Sequence, residues 1–208
     1  DSTVTSLSVA NFTPVSIASN KTLSGAITVS AGSLKLNETG TLASTIAMSG
    51  GTLDADETST VSGALTQSGD ITIDVATGKT LTYYSGTNVG IGANTLTVIG
   101  GGTLDNANAI ILDNANSKLI LNSVTLKIVY TSEASEGIDV DADSTVTSLS
   151  VGHITPVSIA STKTLSGAIA VSAGSLNLTE TGTLASTIAM ISVTLDADES
   201  MTITGTVT

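Results

Sequence analysis

In the stretch TLSGAITVSAGSLKLNETG (22–40), the apolar residues Leu23, Ile27, Val29, Leu34 and Leu36 alternate locally with Ser, Thr or Lys. Alternation with a period of two predicts half-buried β-strands. Small or polar corners separate the apolar runs at Ser24-Gly25, Ala31-Gly32 and Asn37-Glu38-Thr39-Gly40. This reading gives about three short strands and three turns every 19 or 20 residues. Sustained apolar spacing of three and four is absent from the chain, so the pattern predicts no helix.

The same phase recurs down the chain. Thr followed by an aliphatic residue stands at Thr3-Val4, Thr22-Leu23, Thr41-Leu42, Thr60-Val61, Thr80-Leu81, Thr103-Leu104, Thr125-Leu126, Thr145-Val146, Thr164-Leu165, Thr183-Leu184 and Thr202-Ile203. A longer repeat lies over it: residues 1–60 match 143–202 without gaps, and 48 of those 60 positions are identical. The expected fold is therefore all-β, a parallel β-solenoid of about 20 residues per coil and about ten coils, with a 142-residue higher-order repeat. It forms one continuous domain over 1–208, in which 1–142 is a full seven-coil unit and 143–208 begins the next. An antiparallel sandwich also has short strands, but it gives no reason for a Thr-aliphatic pair at one phase of the period. Stacking predicts columns of like residues, with Leu23 on Leu42 on Val61 and Ile27 on Ile46 on Leu65. The opening Thr of each coil should point outward and form a ladder, and the longer coils over 80–124 should bulge into loops without ending the stack. At about 4.8 Å per coil the rod is about 50 Å long.

Composition narrows the function. Of 208 residues, 40% are hydrophobic but only 2% aromatic, which suits a narrow aliphatic stack. There is no cysteine, so neither a disulfide nor a thiolate metal site is available. Eighteen acidic against six basic residues, all lysine, give a net charge of −12. That field repels phosphate backbones and anionic membrane surfaces, so no nucleic-acid partner is expected. No apolar run reaches the length of a transmembrane helix.

Candidate chemistry is sparse. Carboxylates gather at the corner after the last strand of a coil: Glu38, then Asp54, Asp56 and Glu57 one coil later, then Asp74. The second copy repeats them as Glu180, Asp196, Asp198 and Glu199. In-register stacking would set Glu38 about 5 Å from Glu57, costing about 1 kcal/mol in water. A Ca²⁺ ion would relieve that repulsion with hard oxygen ligands, making Glu38, Asp56, Glu57, Glu180, Asp198 and Glu199 the only metal candidates. The plainer reading is a solvated acidic edge with no cofactor. DVDADS (139–144) opens like a calcium loop but has Ser144 and Ser150 where Gly and Glu are needed. His153 is the only histidine, so no Ser-His-Asp set can form, and GIG (90–92) and GGG (100–102) lack the lysine and context of a phosphate cradle. Sequons at Asn11, Asn20, Asn37 and Asn177 are no more than a Ser/Thr-rich chain yields by chance. No enzyme is expected.

Phrases such as TLSGAITVSAGSLKLNETGTLASTIAMSGGTLDAD resemble the passenger-type repeats of bacterial autotransporters and filamentous-haemagglutinin-like surface adhesins. The resemblance rests on pattern and composition along the whole chain and transfers no functional residue. It implies an extracellular or cell-surface location and a structural or adhesive role. The expected function is a β-solenoid fibre subunit or adhesin shaft of the cell surface or matrix. Its expected partners are copies of itself, joined end to end or continued in a longer repetitive chain. The alternative is an ice- or carbohydrate-binding solenoid that uses the outward Thr ladder.

Overall fold

A computed structural model describes residues 1–106, 109–114, 116–131, 137–152, 155–191, 193–197 and 199–208. Among them every element is a strand, and the strands form one sheet of 15 and a second of 10. All pairings between named strands are parallel. Each coil runs along a long face, turns a corner, crosses a short face and turns again. In the coil opening at Thr22 the long face is Thr22–Val29 and the short face Ser33–Leu36. The chain is thus a parallel β-solenoid, with coils roughly 20 residues apart.

The period-two pattern sets which side chains enter the core. On the short face, Leu34 and Leu36 point inward while Ser33 and Lys35 point out. On the long face, Leu42, Ile46 and Met48 are buried while Thr45 and Ala47 are exposed. The expected columns exist: Leu23 pairs with Leu42 and Leu42 with Val61, and Ile27 pairs with Ile46 and Ile46 with Leu65. The core is one aliphatic stack from Val9 to Ile188. Each fully buried Leu, Ile or Val contributes about 1.5–3 kcal/mol relative to exposure, but only when adjacent coils cover it.

The expected three strands per coil are present from Thr41 to Leu121, whereas the remaining full coils carry two, because the long face is there one continuous strand. The turn foreseen at Ser24-Gly25 is a bend within the long face, continuous in Thr22–Val29 but broken in the next coil into Thr41–Leu42 and Thr45–Met48. Over three successive coils the bend position carries small residues, Gly25, Ser44 and Gly63, where the backbones approach closely. A Cβ on Gly63 would fall well inside contact distance of the Ser44 carbonyl. The second copy pairs Gly167 with Ser186 at the same place.

The longer coils keep the stack, as expected, and plug the bend with polar side chains. Tyr83 is buried, and its hydroxyl accepts from Leu65 N–H at 3.0 Å and from Ser85 Oγ at 2.7 Å. In the next coil, buried Asn106 donates to Ile128 O at 2.8 Å and accepts from the backbone of Lys127 and Ile128. The surplus residues Tyr84–Asn88 form a mostly exposed loop.

The Thr ladder is not one column. It runs Thr22–Thr41–Thr60, then Thr80–Thr103–Thr125–Thr145, then Thr164–Thr183–Thr202. At the junctions Thr3 pairs with Ser24, Thr60 with Thr82 and Thr145 with Ser166. Each junction slips by two residues, which keeps every side chain on its own face. The first and third slips are followed by a bulge, between Val4 and Leu7 and between Val146 and Leu149.

Gly63→Ala is expected to lose at least about 2 kcal/mol, because the Ser44 carbonyl is main chain at a bend held between two ladder strands, Thr41–Leu42 and Thr45–Met48, and cannot move aside as a side chain could. A urea midpoint equal to the parent's would refute the close approach. Thr162 is β-branched yet sits at φ 66°, where its counterpart Asn20 sits at 59°. Thr162→Asn is expected to raise stability by about 1 kcal/mol, read as a higher midpoint with an unchanged urea slope.

Candidate functional site

The charges are not spread evenly over the rod. On the long face, the described residues carry only Asp105 and Lys127, which pair with each other at 2.6 Å. Every other described charge lies on the short face or at a corner. The outer surface of the short face aligns Lys35 with Asp54 and Asp54 with Asp74 on successive coils. Lys35 Nζ lies 3.2 Å from Asp54 Oδ2 and 2.6 Å from Asp56 Oδ2, with the Phe12 ring centroid 5.6 Å away. The hydrogen bond to Asp56 holds the Lys35 ammonium above its usual pKa, against a smaller desolvation effect. Among the described residues, Asp74 has no lysine within salt-bridge distance. Partial burial, and then the Asp54 and Asp56 carboxylates, push its carboxyl above the ordinary range, with Lys35 acting weakly the other way.

The calcium candidates divide between the two copies. Asp56 N–H donates to Leu36 O, which sets Asp56 opposite Asn37 and Glu57 opposite Glu38, as the stacking argument required. Asp56, however, is occupied by Lys35, and Glu57 by Lys79 Nζ at 2.6 Å. Glu38 is exposed. In the second copy Asn177 replaces Lys35, and Glu180 and Glu199 line one shallow open depression with Ser161, Thr179 and Thr181. Asp198 lies outside the described residues. Among those residues no three His, Asp or Glu side chains are grouped as a metal site. The lysine counterions were missed because the acidic residues were read as a class; the coil offset from Lys35 lands on Asp54, which would have found the pair.

The remaining motifs resolve into coil geometry. In DVDADS, Asp139 pairs with Lys118 at 2.6 Å, and Asp143 Oδ1 accepts from Thr164 N–H at 2.8 Å. Asp1 does the same for Thr22 at 2.9 Å. These aspartates satisfy amides at the start of the next coil. His153 lies outside the described residues. Asn11 and Asn20 are exposed at corners, whereas Asn37 and Asn177 are half-buried, and Asn177 accepts from Ser175 Oγ at 2.7 Å. In GIG, Gly90 ends a strand that pairs with Ile111 and Gly92 leaves it at positive φ, while Gly100 and Gly101 of GGG also sit at positive φ.

An enclosed cavity lies between the bent faces of the middle coils, lined by Leu53, Tyr83, Leu96, Asn106 and Ile110 among others. Its volume of about 10 Å³ has room for no more than a single water. A surface depression of about 570 Å³ is open and is lined by Gly101, Ser123, Asp143, Thr164 and neighbours. Its one carboxylate is the Asp143 already bonded to Thr164. The described residues therefore offer rows of like groups at coil spacing.

Comparison with known proteins adds no relative: no family model matches the chain, and no match was found among curated proteins or solved structures.

Lys35→Met should lower the melting temperature at pH 7, and Asp74→Asn should raise it, the latter by the equivalent of no more than about 1 kcal/mol because the carboxylate still meets solvent. Since the folded Asp74 carboxyl titrates above its usual value of 3.8, its penalty is complete at neutral pH and fades as pH falls through that range. The Asp74→Asn gain should therefore shrink toward zero below the usual carboxylate pKa. A gain that persists there would show that charge is not its cause.

Proposed function

We propose that the chain is an extracellular structural rod, a β-solenoid fibre subunit or adhesin shaft of the cell surface or matrix, and not an enzyme. The observation that supports this reading best is the parallel register of both sheets along the described chain. Backbone hydrogen bonds then run along the rod axis, and pulling on the rod loads many of them at once. Salt bridges fit the same role. Lys35–Asp54, Lys79–Glu57, Lys118–Asp139 and Lys127–Asp105 each join neighbouring coils. The resemblance to surface-adhesin repeats supports the extracellular setting, and the acidic charge suits a rod that must stay dissolved.

Ice or carbohydrate binding through the outward threonines gains little from the geometry, because the Thr column is divided into three shorter rows by the two-residue slips. The rod reading predicts end-to-end union, in which the sheets of one copy continue into the next.

Negative-stain micrographs should show unbranched rods whose lengths cluster at multiples of about 50 Å, the span of eleven coil starts. Compact particles of uniform round outline would overturn the rod reading, and single rods that never lengthen with concentration would overturn end-to-end union.

A further inference from the structure

We propose that the uncharged long face is a lateral docking surface for a second copy of this chain. On a chain of net charge −12, it is the broad surface on which two copies can approach without stacking like charges. Its relief also suits a copy of itself. Exposed Ala26 pairs with exposed Thr45, and exposed Thr28, Ala47 and Thr66 follow one another on successive coils. At these positions of the first copy Thr and Ala alternate both along and across the coils, a small chequerboard of knobs and hollows, whereas in the second copy Ala170 pairs with Ala189. A copy displaced by one coil sets its threonines over the other's alanines, the interdigitation that makes paired sheets dry.

The size is adequate. Four coils of about 4.8 Å and strands of eight residues cover about 500 Å² per partner, so one contact buries about 1,000 Å² in total, the lower bound for a specific interface. The 142-residue repeat supplies a second patch on the same face, where exposed Ala168, Ala170, Thr187 and Ala189 stand on paired strands. Between the patches the face is interrupted by the exposed Tyr84 and by the Asp105–Lys127 pair. Each contact is weak alone, and two patches per chain allow many copies to bundle side by side.

Lateral docking is independent of end-to-end union, because rods joined only at their ends remain one solenoid wide. The test is sedimentation velocity over a concentration series, with rod widths from micrographs, for the parent, Ala47→Glu/Thr187→Glu, Thr66→Lys and the short-face control Thr72→Glu. The parent should associate with increasing concentration, and more strongly as salt rises from about 0.05 to about 0.5 M and screens the net charge. The Glu pair and the Lys variant should both lose association by tenfold or more and show single-width rods, while the control keeps it. The lysine arm excludes simple repulsion, since it lowers the net negative charge. Circular dichroism melts establish that each variant is folded, and an unfolded Glu pair leaves Thr66→Lys to decide. A parent that stays monomeric, variants that associate as the parent does, or association weakened by salt would each overturn the proposal. Thermal hysteresis lost on the same substitutions in a chain that stays monomeric would also overturn it, identifying ice as the occupant.

Discussion

Everything in this molecule depends on a coil being unable to cover its own aliphatic face. The repeat contains the comparison that demonstrates it. STVTSLSV occurs twice, at Ser2–Val9 and Ser144–Val151. In the first copy, whose strand pairs on one side only among the described residues, Leu7 is half-buried; in the second, paired on both sides, Leu149 is 1% exposed. The phrase TLDA shows the same effect, with Leu53 buried on a strand paired on both sides and Leu195 only partly so on one that pairs on one side among the described residues. Identical residues therefore make different energetic contributions, set by whether a neighbour stacks on them. Stability in such a chain is a property of interfaces between coils, and it grows with each added neighbour.

The electrostatics follow from that constraint. Stacking places equivalent residues about 4.8 Å apart, so any charge repeated in every coil would face its own copy. On the short face the first copy sets Lys35 next to Asp54, and at the corner Lys79 meets the Glu57 that also faces Glu38. Asp74 is where such pairing fails, and it is the carboxyl whose proton is held too tightly. The long face takes the other solution and carries almost no charge. Its hydroxyls and methyls can be stacked without penalty, which is why Ser, Thr and Ala dominate it.

Much of the architecture was legible because a period-two pattern inside a period-20 pattern has one simple physical solution. The Leu23–Leu42–Val61 column could be written down before any coordinate was known, and so could the bulging of the coils after Thr80. The slips at Thr3, Thr60 and Thr145 could not. Thr3-Val4-Thr5 and Thr22-Leu23-Ser24 look the same after a shift of two, since Ser and Thr alternate with aliphatics in both. Nor could the bend at Gly25, Ser44 and Gly63 be told from a turn, because small residues suit both. At the candidate site, the positions of Glu57 and Glu38 followed from the coil offset. What was missed was the lysine that each carboxylate meets, a pairing between coils that no contiguous motif displays.

A repetitive stack raises a final physical problem: how one register is chosen. Coils of 19 residues with the same columns could slide past one another by a whole coil and still bury their aliphatics, leaving several near-equal folds. The irregular middle of the block removes that degeneracy. Tyr83 meets Leu65 N–H and Ser85, and Asn106 meets the backbone of Lys127 and Ile128. Sliding by one coil would bury a phenol and a carboxamide without partners, at about 1–3 kcal/mol for each lost polar contact. The longer coils thus act as keys that fix the register, while the coils on either side supply length. One such keyed segment lies within the 142-residue block, so a chain built from nearly identical coils can still have a single folded state.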